Sequence, residues 1–139
     1  MRSARKETLV AFSRSIENHA LHAADQPLII AAIQHGRFFT GATRRHYLNL
    51  ASTAPLVAII GQHLPPIPPP ARPVDIAPTD PLAREWIVVA LGGHTASALI
   101  ARETHNRHSC DLDRRFDFLV THNRQLVAAL AKNLMSRIP

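Results

Sequence analysis

Three short stretches of nearly unbroken apolar residues constrain this fold most: "PLIIAAI" at 27–33, "PLVAIIG" at 55–61 and "EWIVVALGG" at 85–93. Each falls well short of the roughly 20 residues that a membrane span needs. Bounded apolar runs of this length read as buried strands covered by helices. Between the first two lies "GATRRHYLNLAST", where Tyr47 and Ala51 stand one helical turn apart. Strand, helix and strand in that order predict a βαβ unit with a parallel pair.

The remaining segments extend the alternation. In "TLVAFSRSIENHALHAA", Leu9, Phe12, Ile16, Ala20 and Ala23 form one stripe of an amphipathic helix. "QHLPPIPPPARP" carries six prolines within residues 61–73 and reads as a stiff extended loop, because proline lacks the donor that helices and central strands need. "VDIAP" is a short strand, and "HTASALIARE" is read as a short helix opening straight after Gly92 and Gly93. "RFDFLVTH" alternates as a half-buried strand. "NRQLVAALAKNLMSRI" sets Leu126, Leu130, Leu134 and Ile138 at helical spacing behind Asn123 as cap. The expected order is α-β-α-β-β-β-α-β-α. This is a single-domain α/β three-layer sandwich over residues 1–139, with a mixed sheet of about five strands and a basic N-terminal tail at 1–7.

Within the third apolar run, Glu85 and Trp86 are neighbours. Successive strand side chains point to opposite faces, so Trp86 is expected in the core and Glu85 at the rim, not as a catalytic partner. Candidate acid–base carboxylates are scattered, and no nucleophile elbow, phosphate loop or HExxH motif is present, so no catalytic residue is assigned. The densest polar cluster, His105, His108, Cys110, Asp111 and Asp113, lacks the second half of a zinc site. It reads as a solvated loop with a free thiol in preference to a metal site or a thiol-linked chromophore. No metal and no cofactor are expected. The net charge of +6 is carried by scattered arginines, and no helix-turn-helix is recognisable, so direct nucleic-acid binding is the weakest reading. One cysteine and a basic N-terminus without a secretory h-region lead to an expected cytoplasmic location.

Two βα turns, "GGHT" and "THNR", suggest a ligand site. Were both strands parallel and adjacent, the following helices would present N-terminal amides to one crevice at the strands' carboxyl ends. The candidate residues are Gly92, Gly93, His94, Thr95, Thr121, His122, Asn123 and Arg124, with Arg45 or Arg124 completing the charge for a small anion. Gly93 is expected to let the backbone approach the bound group.

Several residues resemble the DICT domain, a bacterial sensory module, over about residues 8–137. They are Ser15-Ile16-Glu17, Ile33-Gln34, Phe38-Phe39-Thr40, Tyr47, Leu50-Ala51, "DPLAREW" at 80–86 and "RRFDFLVTHNRQLV" at 114–127. Most are read as packing residues. The resemblance implies a non-catalytic regulatory domain in signal transduction. Its expected partner is an output protein: a kinase, a cyclic-di-GMP enzyme or a transcription regulator. A small anionic ligand and a homodimer stay open as partners. A small-molecule enzyme using the crevice at Gly93 and Thr121 is the alternative.

Overall fold

The structure, a computed structural model, describes residues 2–104 and 114–139. In chain order the elements are β1 (Arg2–Arg5), α1 (Lys6–His22), β2 (Leu28–His35), α2 (Gly41–Ala51), β3 (Val57–Gln62), β4 (Arg72–Asp75), β5 (Glu85–Leu91), β6 (Ala96–Glu103), β7 (Arg115–Thr121) and α3 (Arg124–Met135). Two 3-10 turns, Gly36–Phe38 and Pro81–Arg84, follow β2 and precede β5. The strands form one seven-stranded sheet in the order β1-β7-β6-β5-β2-β3-β4.

The predicted βαβ unit is present as β2-α2-β3, with Ile29 opposite Val57 and Ala32 opposite Ile60 in parallel register. β4 extends this parallel half. The other pairings are antiparallel. Alternation along the strands feeds two cores. Ile29, Ala31, Val88, Ala90, Leu99 and Phe116 face α1 and α2. Ile30, Ala32, Ile87, Val89 and Ala98 face α3 and the Pro81–Arg84 turn. The result is a mixed α/β fold with helices on both faces of the sheet.

The structure corrects the expected order of elements. "HTASALIARE" is strand β6, not a helix. Gly92–Thr95 is the turn of a β5–β6 hairpin, closed by Leu91 opposite Ala96 and by the Gly92 amide donating to the Thr95 carbonyl at 2.8 Å. Alanine and leucine favour helix locally, but pairing between β5 and β7 overrides that weak preference. Residues 2–5, read as part of a basic tail, form edge strand β1 against β7. Seven strands therefore replace the expected five. The proline-rich stretch runs between β3 and β4 and tucks Ile67 and Ala71 into the core beside α2. The His105, His108, Cys110, Asp111 and Asp113 loop lies outside the described residues.

Leu99 is fully buried and Leu119 is 42% exposed. Leu99→Ala is expected to cost about 2–5 kcal/mol. Leu119→Ala should cost less than about 1 kcal/mol. Urea unfolding of both variants checks this placement of the core.

Candidate functional site

The buried stripe of α1 is Leu9, Ser13, Ile16, Glu17 and Ala20, rotated from the expected one so that two polar residues point inward. Phe12 is displaced to the edge, where its ring lies 5.7 Å from that of Phe118. Glu17 is only 1% exposed. A buried carboxylate needs hydrogen-bond partners. Ser13 Oγ donates to Glu17 Oε2 at 3.0 Å, and Tyr47 Oη, from α2, donates to the same oxygen. Burial first, then the negative charge of Glu17, push the Tyr47 phenol well above its ordinary value, so it remains a donor. His46 Nε2 lies 3.1 Å from Glu17 Oε1, within ion-pair reach, yet it is out of line for a hydrogen bond and has no hydrogen-bond partner among the described residues.

Ser13, Glu17 and Tyr47 form the floor of a cavity of about 80 Å³, walled by Val10, Ile33, Phe38 and Trp86, with Lys6, Arg14, Gln34 and Thr43 also lining it. That volume suits a few waters or the inner part of one small ring whose remainder lies in the open mouth, and it is too small for a nucleotide. The cavity lies at the carboxyl end of β2, where the neighbouring pairing changes from antiparallel β5 to parallel β3. Open α/β sheets bind ligands at such an end.

Gln34 borders the cavity at a break in the β2 register, with φ +72° and 6% exposure. A non-glycine residue in this left-handed region costs about 1–3 kcal/mol and persists only when its surroundings hold it. Here Gln34 Nε2 donates to Glu103 Oε1 at 3.1 Å, and its Oε1 accepts from Arg114 at 2.8 Å. Arg114 also donates through Nε to Glu103 Oε2 at 2.7 Å and stacks over Phe38 at 4.4 Å. Its hydrogen bonds hold the Glu103 carboxyl below the ordinary carboxylate value.

The residues singled out from the two turns lie elsewhere. β5 runs antiparallel to β2, so its carboxyl end, with Gly92 and Gly93, is at the opposite end of the sheet from the cavity. β6 separates β5 from β7, and Thr121, His122, Asn123 and Arg124 follow β7 at that same far end. Asp25 takes the His94 amide at 2.8 Å and the Thr95 hydroxyl at 3.0 Å. The His94 amide, foremost among its contacts, lowers the Asp25 carboxyl. Arg124 donates to the carbonyls of Gly92 and Gly93 at 2.8 and 3.3 Å. Asn123 caps α3 by accepting from Leu126, as expected, and donates its own amide to Thr121 Oγ1. His94, Thr95 and His122 border an open groove of about 410 Å³ with His19 and Ser97. Arg45 is exposed near the start of α2 and is not brought to this groove. Among the described residues no three His, Cys, Asp or Glu side chains converge as a metal site.

Glu85 and Trp86 separate as expected of strand neighbours. Glu85 pairs with Arg102 at 2.7 Å across the β5–β6 register. Trp86 is half-buried, edge-on to Phe116 at 5.8 Å, and it walls the cavity as well as packing on the core. Asp80 caps the Pro81–Arg84 turn through Leu82 and meets Arg137. "DPLAREW" is thus a cap, a buried Leu82, an ion pair and a cavity wall in sequence.

Comparison with known families is decisive at this point: the DICT family, described as a sensory domain in diguanylate cyclases and two-component systems, matches residues 2–104. The chain belongs to the DICT family. No curated protein and no solved structure matches it. Glu17, Ile33, Gln34, Phe38, Tyr47 and Trp86 of this DICT domain are among the residues that carried the resemblance, and all six line the cavity. The missed signal was Ser13 and Glu17, four apart and one position beside the apolar stripe of α1.

Two measurements check this geometry. A Cβ on Gly92 would lie 2.6 Å from Asp25 Oδ2 and 3.0 Å from Pro27 Cα, whereas one on Gly93 meets nothing within 4 Å. Gly92→Ala should therefore cost about 1–3 kcal/mol, and Gly93→Ala should stay within about 0.5 kcal/mol of the parent in urea unfolding. For Glu103, a folded value below the unfolded one means its contribution is complete above the ordinary carboxylate value of 4.5 and is lost as pH falls through the folded value. Stability of the parent should fall on acidification below about pH 5, and Glu103→Gln should flatten that fall in unfolding curves recorded across the window.

Proposed function

We propose that this DICT domain is a non-catalytic input module that binds a small ligand in the Glu17 cavity and passes the change to an output signalling protein. The observation that carries the reading is the cavity itself, a polar floor within apolar walls bordered by a strained Gln34. Strain of this kind collects at ligand clamps and switches. Gln34 contacts both members of the Glu103–Arg114 pair, so displacing it would alter the end of β6 and the start of β7 together. A kinase, a cyclic-di-GMP enzyme or a transcription regulator is the partner class that this role calls for.

The side chains suited to acid–base chemistry are engaged with one another. Tyr47 and Ser13 both donate to Glu17, and the Tyr47 phenol is held protonated. That engagement supports sensing over catalysis. The groove beside His19, His94 and His122 is the second reading, for a small anion. It is favoured by its larger volume and by Ser97 Oγ standing 3.0 Å from His122 Nδ1.

Trp86, the single tryptophan of the chain, reports on the cavity directly. Screening small metabolites by Trp86 fluorescence should find compounds that act on the parent and not on Val10→Phe, which fills the cavity. Native mass spectrometry of the gently purified protein should show the same mass class retained. A screen that leaves Trp86 unperturbed, together with no retained ligand, would sink the cavity reading. Hits that titrate His94 and His122 resonances instead would move the site to the groove.

A further inference from the structure

Building on the reading of this cavity as the sensory pocket, we infer that its ligand is a small neutral molecule with an apolar body and one hydroxyl or N–H donor. The hydrogen-bond inventory of the floor leads there. Ser13 and Tyr47 both spend their donors on Glu17 Oε2. Gln34 uses one amide hydrogen on Glu103 and its carbonyl on Arg114. Among the described residues no hydrogen bond ends on Glu17 Oε1; His46 Nε2 stands 3.1 Å away out of line, and the nearest Arg14 nitrogen is at 4.0 Å. A 99% buried residue that lines the cavity thus keeps one carboxylate oxygen without a donor. Glu17 Oε1 is therefore an open acceptor, and a ligand that satisfies it must bring the donor.

Charge narrows the class further. A carboxylate entering the cavity would face Glu17. An amphipathic anion that left its charge at the rim would set its apolar end against Oε1 and leave that oxygen unsatisfied, a loss of about 1–3 kcal/mol or more for a charged group. A protonated amine would pass two cationic side chains, Lys6 with Nζ 4.2 Å from the Phe38 ring centre and Arg14 donating to Thr43 at 3.3 Å, before reaching Glu17. A neutral donor meets neither obstacle. The walls supply aromatic surface at Phe38 and Trp86 and aliphatic surface at Val10 and Ile33. A cavity of about 80 Å³ then limits the body to a single ring or a short branched chain.

The test uses three probes of one size and different charge, p-cresol, benzoate and benzylamine, titrated at neutral pH into the nitrogen-15-labelled protein. The readout is the single Trp86 indole N–H resonance. The expected result is saturable movement with p-cresol at least about ten-fold tighter than with either charged probe, the scale of one hydrogen bond to a charged group. Glu17→Gln, which turns one acceptor into a donor, should narrow the preference for p-cresol over benzoate toward parity. Val10→Phe should remove binding of all three while leaving the Glu17 network intact, which keeps the test decisive should the Glu17 variant not fold. Tighter binding of benzoate or benzylamine overturns the ligand class but leaves the cavity as the sensory pocket. Equal p-cresol binding by Val10→Phe overturns the class, because the probe then sits elsewhere. Silence from all three probes also overturns it, and the pocket reading falls with it only if the metabolite screen is silent too.

Discussion

Taking a carboxylate out of water costs several kcal/mol even after the protein relaxes, and this fold places Glu17 between two helices and the sheet. The position is tenable only if α1 and α2 approach in one particular way. Ser13 must share the face of α1 with Glu17, and Tyr47 must arrive from α2 with its hydroxyl directed at Oε2. The rotation of α1, the displacement of Phe12 to the edge and the depth of Tyr47 all follow from that requirement. An apolar residue of similar size at position 17 would relax it and let the helices slide.

The apolar runs made the parallel half of the sheet legible. "PLIIAAI" and "PLVAIIG" are buried on both faces, and no other role suits them. The antiparallel half was only partly legible because its strand β6 is written in alanine, leucine and isoleucine, which serve a helix as well. What settles β6 is pairing with segments before and after it, a non-local cause that no window of ten residues contains. One consequence was to read the Gly92–Thr95 turn as the start of a helix. If "HTASALIARE" were a helix, the carboxyl ends of β5 and β7 would be βα junctions. As a strand, it turns the first junction into a hairpin whose polar groups are taken by Asp25 and Arg124. The cavity was hidden for a related reason. Glu17 and Ser13 look like the polar face of an amphipathic helix until the helix is rotated by about one residue.

The DICT assignment and the chemistry of the cavity reinforce each other. The family description places this module at the input side of signalling systems. Six of the residues that carried the resemblance, Glu17, Ile33, Gln34, Phe38, Tyr47 and Trp86, meet around one pocket at the carboxyl end of β2. Gln34 joins that space to Glu103 and Arg114, which flank the link from β6 to β7. A domain built this way holds a strained residue in place with a few polar contacts, so small changes in those contacts act on a backbone already near its tolerance.

Both ends of α1 are tied to the sheet, by different means. Just beyond its last turn, Asp25 ties the chain to the β5–β6 hairpin through His94 and Thr95, and Arg124 braces the same hairpin from the start of α3. The first two-thirds of the helix runs along the cavity and is led into by edge strand β1. Its 17 residues make a rod about 25 Å long, tied near its start by the β1–β7 pairing and by the Lys6 amide, which donates to the Arg114 carbonyl. Such a rod acts as a lever between its two ties: a tilt of a few degrees about the Asp25 end would move the other end by about an ångström and load the β1–β7 ladder directly.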